Sequence, residues 1–314
     1  MYRIGIDLGG TNIAVGLVDD SNYTIVAKKS LPTNAHRAPE AIVDDMAKLC
    51  RDVCEEADIS ISDVTSIGIA TPGIANNDTG VVEYANNLPF KNFPIVALLR
   101  ERTKIKTINI ENDANAAAWG EAVAGAAKGT DTSIMVTLGT GVGGGIIINN
   151  KIFSGFNHTG AEIGHIVIEK GGVPCTCGRA GCWEAYSSAT ALIRMTSEKI
   201  EECRREGRDS VMLSAQKISG RTACDAMREG DTAGKEVYDK YIAYLATGIA
   251  NMINIFHPEV ISLGGGVSNE GQSLVDDLLP LIRKNHKGAN PEAITDIRIA
   301  KLGNDAGIIG AAAL

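Results

Sequence analysis

Ile4-Gly5-Ile6-Asp7-Leu8-Gly9-Gly10-Thr11-Asn12-Ile13-Ala14-Val15-Gly16-Leu17-Val18 sets two β-prone runs, Ile4 to Ile6 and Ile13 to Val18, on either side of a glycine turn. β-Branched residues favour extended chain and paired glycines permit a sharp reversal, so the stretch reads as strand, turn, strand. The pattern returns at Ile134 to Ile148. There Met135-Val136-Thr137-Leu138 leads into Gly139-Thr140-Gly141-Val142-Gly143-Gly144-Gly145 and out into Ile146-Ile147-Ile148. A third run, Val260-Ile261-Ser262-Leu263, ends in Gly264-Gly265-Gly266. Glu40 to Ala57 carries Ile42, Val43, Met46, Leu49, Cys50 and Val53 at helical spacing, and Ser66 to Ala70 reads as a buried strand. This alternation predicts an α/β fold.

Lys106 to Ile110 reads as a further strand and Ala114 to Ala127 as an alanine-rich helix, with a lobe boundary near Asp113. Val237, Tyr241, Tyr244, Leu245, Gly248, Ile249, Met252, Ile253 and Phe256 form one helical stripe that Pro258 stops. Ala306 to Ala313 reads as a small-residue helix. The 314 residues, 44% of them hydrophobic, are enough for two lobes. A formal net charge of −8 repels phosphate backbones and anionic lipid, which argues against nucleic acid and membrane partners. Asp7 falls where the apolar core of an export signal would lie, so a cytoplasmic protein is expected. Thr132 to Asn150, broken by glycines, and the short Tyr241 to Phe256 read as soluble core rather than membrane spans. Seven cysteines, an odd number, point to reduced thiols or metal ligands.

Backbone amides can point at a polyphosphate only where side chains leave room, so the three glycine turns are candidate nucleotide cradles. Gly9-Gly10-Thr11 and Gly139-Thr140-Gly141 each add a hydroxyl donor, and Asp7 could hold Mg²⁺ directly or through water. Gly139 to Gly144 also fits the alternating-glycine dinucleotide fingerprint, with Glu162 near the expected acid. That fingerprint requires a helix at its last glycine, whereas Ile146-Ile147-Ile148 is β-prone. A dehydrogenase is therefore the weaker enzyme reading, and no P-loop is present.

Glu111-Asn112-Asp113-Ala114-Asn115 sits where a strand yields to a helix. Asn112 or Asp113 could cap that helix, and Asp113 could equally accept a hydroxyl proton during phosphoryl transfer. Asn86-Asn87, Asn112, Glu162 and Glu184 could supply the amides and carboxylates that a ring of sugar hydroxyls requires, or each could be a solvated loop residue. Cys175-Thr176-Cys177-Gly178-Arg179-Ala180-Gly181-Cys182 packs three thiols into one tight loop, with His165 ten residues upstream. Three cysteines and one histidine fill a tetrahedral structural zinc site and leave no open position for catalysis.

These motifs resemble those of the ROK family of sugar kinases and repressors, within the actin, hexokinase and heat-shock chaperone superfamily. The resemblance runs over essentially the whole chain. Asp7-Leu8-Gly9-Gly10-Thr11 is similar to the first phosphate motif, Leu138 to Gly145 to the second, and Leu263-Gly264-Gly265-Gly266 to the adenosine motif. Asp113-Ala114-Asn115-Ala116-Ala117 and Ala306 to Ala311 resemble the two connecting helices. Gly160 to His165 and Cys175 to Cys182 resemble the sugar and zinc motifs. The resemblance implies two actin-like (ribonuclease H-like) α/β lobes with an interlobe active-site cleft. Residues 1–115, completed by a helix at about 300–314, would form the small lobe, and 116–299 the large one with the zinc loop and a dimerisation surface. It implies ATP with Mg²⁺, a structural Zn²⁺, a homodimer or tetramer, and phosphorylation of the 6-hydroxyl of glucose. Asp113 would be the base, and Asn87, Asn112, Glu162, His165 and Glu184 would hold the sugar. A kinase for another hexose or N-acetylhexosamine is the alternative, as is a sugar-sensing regulator. Against the family pattern, Leu88-Pro89-Phe90 stands where a Trp often follows Asn-Leu, His158 where glycine is frequent, and Ala161-Glu162 inverts the usual small-residue order.

Overall fold

In the computed structural model, which describes residues 1–285 and 295–314, the chain opens with β1 (Tyr2–Leu8), β2 (Asn12–Asp19), β3 (Thr24–Pro32) and α1 (Pro39–Glu56). There follow β4 (Val64–Thr71), β5 (Ile74–Asn76), β6 (Val81–Tyr84), β7 (Lys91–Phe93), α2 (Ile95–Thr103), β8 (Ile108–Asn112) and α3 (Asp113–Val123). The next elements are β9 (Ser133–Leu138), β10 (Val142–Ile148), β11 (Lys151–Ile152), α4 (Glu184–Ser187), α5 (Ala189–Glu206) and α6 (Thr222–Arg228). Last come α7 (Thr232–Phe256), β12 (Val260–Gly264), α8 (Gln272–Asn285), β13 (Asp296–Ile299) and α9 (Ala306–Ala312). One sheet has the order β3-β2-β1-β4-β8, a second the order β11-β10-β9-β12-β13, and β5-β6-β7 form a small third. The two larger sheets repeat one plan: three consecutive strands, then two from later in the chain. β1, β2 and β3 pair antiparallel, while β4 runs parallel to β1 and to β8. The α/β class and the recurrence of the opening hairpin, both expected from the sequence, are present.

The described chain divides into two compact units. The first comprises Met1–Met135, Gly145–Ala161 and Ala300–Leu314, and the second Val136–Gly144 and Glu162–Ile299. In the first unit, side-chain alternation along the strands sorts the sheet into two unlike faces. Ile4, Ile6, Leu8, Ile13, Val15 and Leu17 are buried with Ile42, Met46, Leu49 and Val53 of α1. The alternate positions include Gly5, Gly16 and Gly68, and α9 lies over them. A Cβ on Gly5 would overlap the Ile308 carbonyl oxygen, and one on Gly68 the Ala311 carbonyl oxygen. α9 packs as tightly on its other side, where a Cβ on Gly310 would overlap the Ala116 carbonyl oxygen of α3. Sheet, α9 and α3 therefore meet backbone to backbone.

α3 ends at Val123 rather than near Ala127, four residues short of the helix expected from composition. The cause is Glu121. Its fully buried carboxylate accepts from the Ala126 N–H at 2.6 Å, the Leu302 N–H at 2.7 Å and the Lys301 N–H at 3.1 Å. An amide drawn to that side chain leaves the helical ladder, and alanine propensity yields to a buried charge satisfied by three donors.

In the second unit α7 is the central helix, and most of its predicted stripe is buried, with Tyr244 and Phe256 at its margin. The helix stops at Phe256 through a left-handed His257 (φ 44°), just before Pro258. Gly248 of α7 leaves room for the fully buried Trp183 ring, which a Cβ there would strike. The Tyr241 hydroxyl donates to the Ser187 carbonyl at 2.7 Å. Both contacts fasten the segment that carries Cys182 and Glu184. No helix among the described residues is long and apolar enough to cross a membrane.

Replacing Gly68 with alanine forces α9 away from the sheet. The expected loss is at least about 2 kcal/mol, in the upper part of the range for an overpacked core, read as a lower urea midpoint at unchanged m-value.

Candidate functional site

In the first unit the turn between β1 and β2 is held by Thr33, the residue that follows β3. Thr33, fully buried, donates its hydroxyl to the Gly9 carbonyl at 2.6 Å and its N–H to the Thr11 carbonyl at 2.9 Å. Gly10 must be glycine because a Cβ would come within 2.9 Å of the Asn87 Cβ. Asn87 thus sits against the turn. Beside the turn lies a pocket of about 500 Å³ whose lining includes Asp7, Gly9, Gly10, Thr11, Lys28 and Asn304. Asp7 closes one wall, with Gly307 of α9 against its carboxyl. Burial and the neighbouring Asp113 charge push the Asp7 carboxyl up to about 6, with Lys28 pulling the other way. A desolvated carboxylate beside a second acid and a glycine turn suits a divalent cation, which would relieve both the burial and the repulsion.

Asn112 and Asp113 divide the two roles that the sequence left open. Asn112 is the cap: its side-chain oxygen accepts from the N–H groups of Ala114 at 2.9 Å and Asn115 at 3.3 Å. Its amide nitrogen donates to the Gly73 carbonyl at 3.1 Å, and its side chain also hydrogen-bonds the Asp113 carboxyl. Behind it the buried Glu111 accepts from the Asn112 N–H at 2.9 Å and the Asn115 side chain at 3.0 Å. Asp113 is thereby spared capping. It takes the Ala114 N–H at 2.8 Å, its own N–H and the Asn112 side chain, and burial raises its carboxyl above the ordinary range despite those donors. A raised carboxyl at the start of a helix is the form a proton acceptor needs.

In the second unit the turn between β9 and β10 is clamped from the start of α5. The Ala189 N–H donates to the Gly139 carbonyl at 2.8 Å and the Thr190 hydroxyl to the Thr140 carbonyl at 2.7 Å. Glu184 holds its far side, accepting from the Val142 N–H at 3.0 Å, and a Cβ on Gly141 would strike that carboxylate. Gly264-Gly265-Gly266 follows β12. Gly265, at φ 84°, brings its backbone against that of Leu138, where a Cβ would lie 2.6–2.7 Å from the Leu138 main chain. The second and third glycine turns are therefore neighbours.

The ligand atoms of His165, Cys175, Cys177 and Cys182 all lie within 4.8 Å of one another. Cys175 Sγ is 3.7 Å from His165 Nδ1, and Cys177 Sγ is 3.6 Å from Cys182 Sγ. Those spacings match the roughly 3.8 Å edge of a tetrahedron built on Zn–S bonds of about 2.3 Å, and far exceed a disulfide. The Arg179 N–H and guanidinium bring the Cys177 thiol down to about 6, whereas burial pushes the Cys182 thiol up to about 12. The donor set fits Zn²⁺. Glu184 reaches this loop as well, 3.4 Å from the Thr176 hydroxyl and 3.6 Å from the Cys175 sulfur. One carboxylate thus joins the thiol loop to the second glycine turn. Glu162 is exposed at the start of the short helical turn Ile163–His165, and its carbonyl accepts the His165 N–H at 3.0 Å.

The departures from the family pattern have distinct physical meanings. His158 (φ 60°) and Ala161 (φ 65°) occupy left-handed backbone, which suits glycine and strains other residues by about 1–2 kcal/mol. Phe90 is core: it is buried and stacks on Phe93 at 4.7 Å. Thr33, Lys28, Asn304 and Thr190 carried no local signal in the sequence. Each joins a turn that lies 17 to nearly 300 residues away along the chain.

A description of the ROK family matches residues 3–314. A glucokinase of Halalkalibacterium halodurans is 38% identical over 316 residues, covering 98% of this chain and 93% of that protein. A solved ROK family glucokinase from Streptomyces griseus, in complex with glucose and AMPPNP, has a TM-score of 0.77 at 34% identity, covering 100% of this chain and 98% of that one. A ROK hexokinase from Thermus thermophilus has a TM-score of 0.81 at 32% identity, covering 99% and 97%.

Asp7 binds its proton more tightly in the folded chain than in the unfolded one, so its burial destabilises the fold as pH rises from about 4 through about 6. Two pH units correspond to about 3 kcal/mol at most. In magnesium-free buffer D7N is expected to be more stable than the parent at pH 8, by about 1–3 kcal/mol, with the gain shrinking below pH 6. Urea midpoints at both pH values measure it.

Proposed function

Because this chain belongs to the ROK family, we propose that it transfers the terminal phosphoryl group of ATP to the 6-hydroxyl of glucose, with Asp113 taking the hydroxyl proton. The observation that carries the assignment of the base is the division of labour at the start of α3. Asn112 takes the free amides of Ala114 and Asn115, while Asp113, partly buried, keeps a carboxyl raised by desolvation. As the sugar oxygen bonds to phosphorus, the bond from phosphorus to the bridging oxygen breaks and ADP leaves with its electron pair; the hydroxyl proton passes to Asp113. Little covalent work falls to the protein, so positioning and charge compensation dominate.

Gly9, Gly10 and Thr11 of the first turn and Gly139, Thr140 and Gly141 of the second supply donors for the phosphates. Gly264, Gly265 and Gly266 leave room for the adenosine. Asp7 is the protein ligand for Mg²⁺, whose bound charge supplies compensation for the polyphosphate. Asn87, Asn112, Glu162, His165 and Glu184 hold the sugar ring. A structural zinc held by His165 Nδ1, Cys175, Cys177 and Cys182 leaves His165 Nε2 for a sugar hydroxyl and keeps the loop rigid. The resemblance to the family also supports a cytoplasmic homodimer, which light scattering tests for its mass.

A coupled ADP-release assay against a panel of hexoses and N-acetylhexosamines is expected to give the highest kcat/KM with glucose. Turnover confined to another sugar would move the substrate and keep the mechanism. D113N is expected to lower kcat by about 10²–10⁴-fold with the glucose Kd nearly unchanged by calorimetry. Retained turnover would remove Asp113 from its role. C177S is expected to release zinc and weaken glucose binding, and unchanged metal content by atomic absorption would refute the ligand set.

A further inference from the structure

The first glycine turn lacks a cation of its own. It runs Gly9-Gly10-Thr11-Asn12 and shares its pocket with Asp7, whose carboxyl also feels the charge of Asp113. A nucleoside triphosphate brings about four negative charges at neutral pH, and Mg²⁺ offsets two. Among the described residues that line the adjoining pocket, Lys28 carries the single positive charge. The register of the first sheet places it there. Asp7 pairs with Ala14 and Ala14 with Ser30, which makes one row across β1, β2 and β3. Gly5, Gly16 and Lys28 make the next row on the same face, because residues two apart on a strand share a face.

The Lys28 ammonium pairs with the Asp305 carboxylate, and both side chains are about 40% exposed. An ion pair so open to water contributes little stability and exchanges readily. A phosphate oxygen competes well for such an ammonium, since the bond is charge-assisted and carries a larger negative charge. Asp305 follows Asn304, itself part of the pocket lining, so the exchange needs only a swing of one lysine side chain within the site. The field of Lys28 already reaches the carboxyl of Asp7.

We propose that Lys28 is a polyphosphate-binding residue of this pocket, exchanging its ammonium from Asp305 to the terminal phosphates of the nucleotide. The inference rests on reading the pocket as the nucleotide's phosphate site, and it adds a charge-compensating side chain on β3 to that site. Lys28 offers a point charge to the phosphates while the glycine turn offers directed amides.

The test uses the full chain and three variants: K28M, K28R and D305N. Binding of Mg-AMPPNP is measured by calorimetry, and KM for Mg-ATP and for glucose by the coupled assay. K28M is expected to weaken Mg-AMPPNP binding and raise the Mg-ATP KM by about 10- to 100-fold, the range for one lost hydrogen bond to a charged group. The glucose Kd should stay within about twofold, and K28R should recover most of the nucleotide affinity because it restores the charge. D305N should bind Mg-AMPPNP as tightly as the parent or more so, because the competing carboxylate is gone. A K28M protein whose Mg-AMPPNP Kd lies within about twofold of the parent's overturns the proposal. So does a D305N protein that loses nucleotide affinity as far as K28M, which would make the ion pair merely structural. If the parent binds Mg-AMPPNP but releases no ADP with any sugar, the kinase reading fails while the binding comparison still decides Lys28. If the parent binds no nucleotide, both fall.

Discussion

Backbone contact between α9 and the first sheet governs the rest of the first unit. At Gly5 and Gly68 there is no room for even a methyl group, because carbonyl oxygens of α9 occupy the space. The same short helix presses α3 on its other side, through Gly310 and through Gly120, whose Cβ would strike the Ala306 carbonyl oxygen. The position of α3 fixes Asn112 and Asp113, and Gly307 sets the wall behind Asp7. Two carboxyls of the candidate site are thus held by a helix that contributes neither. Dispersion and shape do this work, and they do it only because the contacting residues have almost no side chains.

That packing also explains why the two acids carry raised carboxyls. Close backbone contact excludes water, and burial is the first cause of the shift at both Asp7 and Asp113. The destabilisation is local and suits the proposed chemistry, since a divalent cation at Asp7 and a proton arriving at Asp113 would each relieve part of it. In the second unit, a different device reaches a comparable precision. Trp183 keyed into Gly248 and Tyr241 bonded to Ser187 hold the chain on either side of Glu184, whose carboxylate spans from the thiol loop to the second glycine turn.

Local patterns in the sequence carried much of this. The hairpin at Ile4 to Val18, its repeat at Ile134 to Ile148 and the thiol loop are compact in sequence, so residue type and spacing suffice to see them. Whether Asn112 or Asp113 capped α3 was not legible, because it turns on side-chain rotamers and on the Gly73 carbonyl, 39 residues away. The end of α3 was misread for a related reason: a run of alanines favours helix, but the buried Glu121 draws the Ala126 amide to itself. Lys28, Thr33 and Asn304 are ordinary residues until strand register and chain reversal bring them to the first turn. His158 and Ala161 stood out as departures from a family pattern, and only the backbone angles gave that departure a physical content.

The placement of α9 bears on how the chain is made as well as how it works. β1, β2 and β4 leave the ribosome some 240 to 300 residues before α9 does. At translation rates of about 5–20 residues per second, the glycine-lined face of the first sheet stays uncovered for tens of seconds. Its partner α9 follows with a long loop to close, so the first unit can finish folding only after synthesis has passed residue 312. Until then, a nascent chain presents an extended surface that a holdase could occupy, and Asp7 does not yet have the wall of Gly307 to sit against.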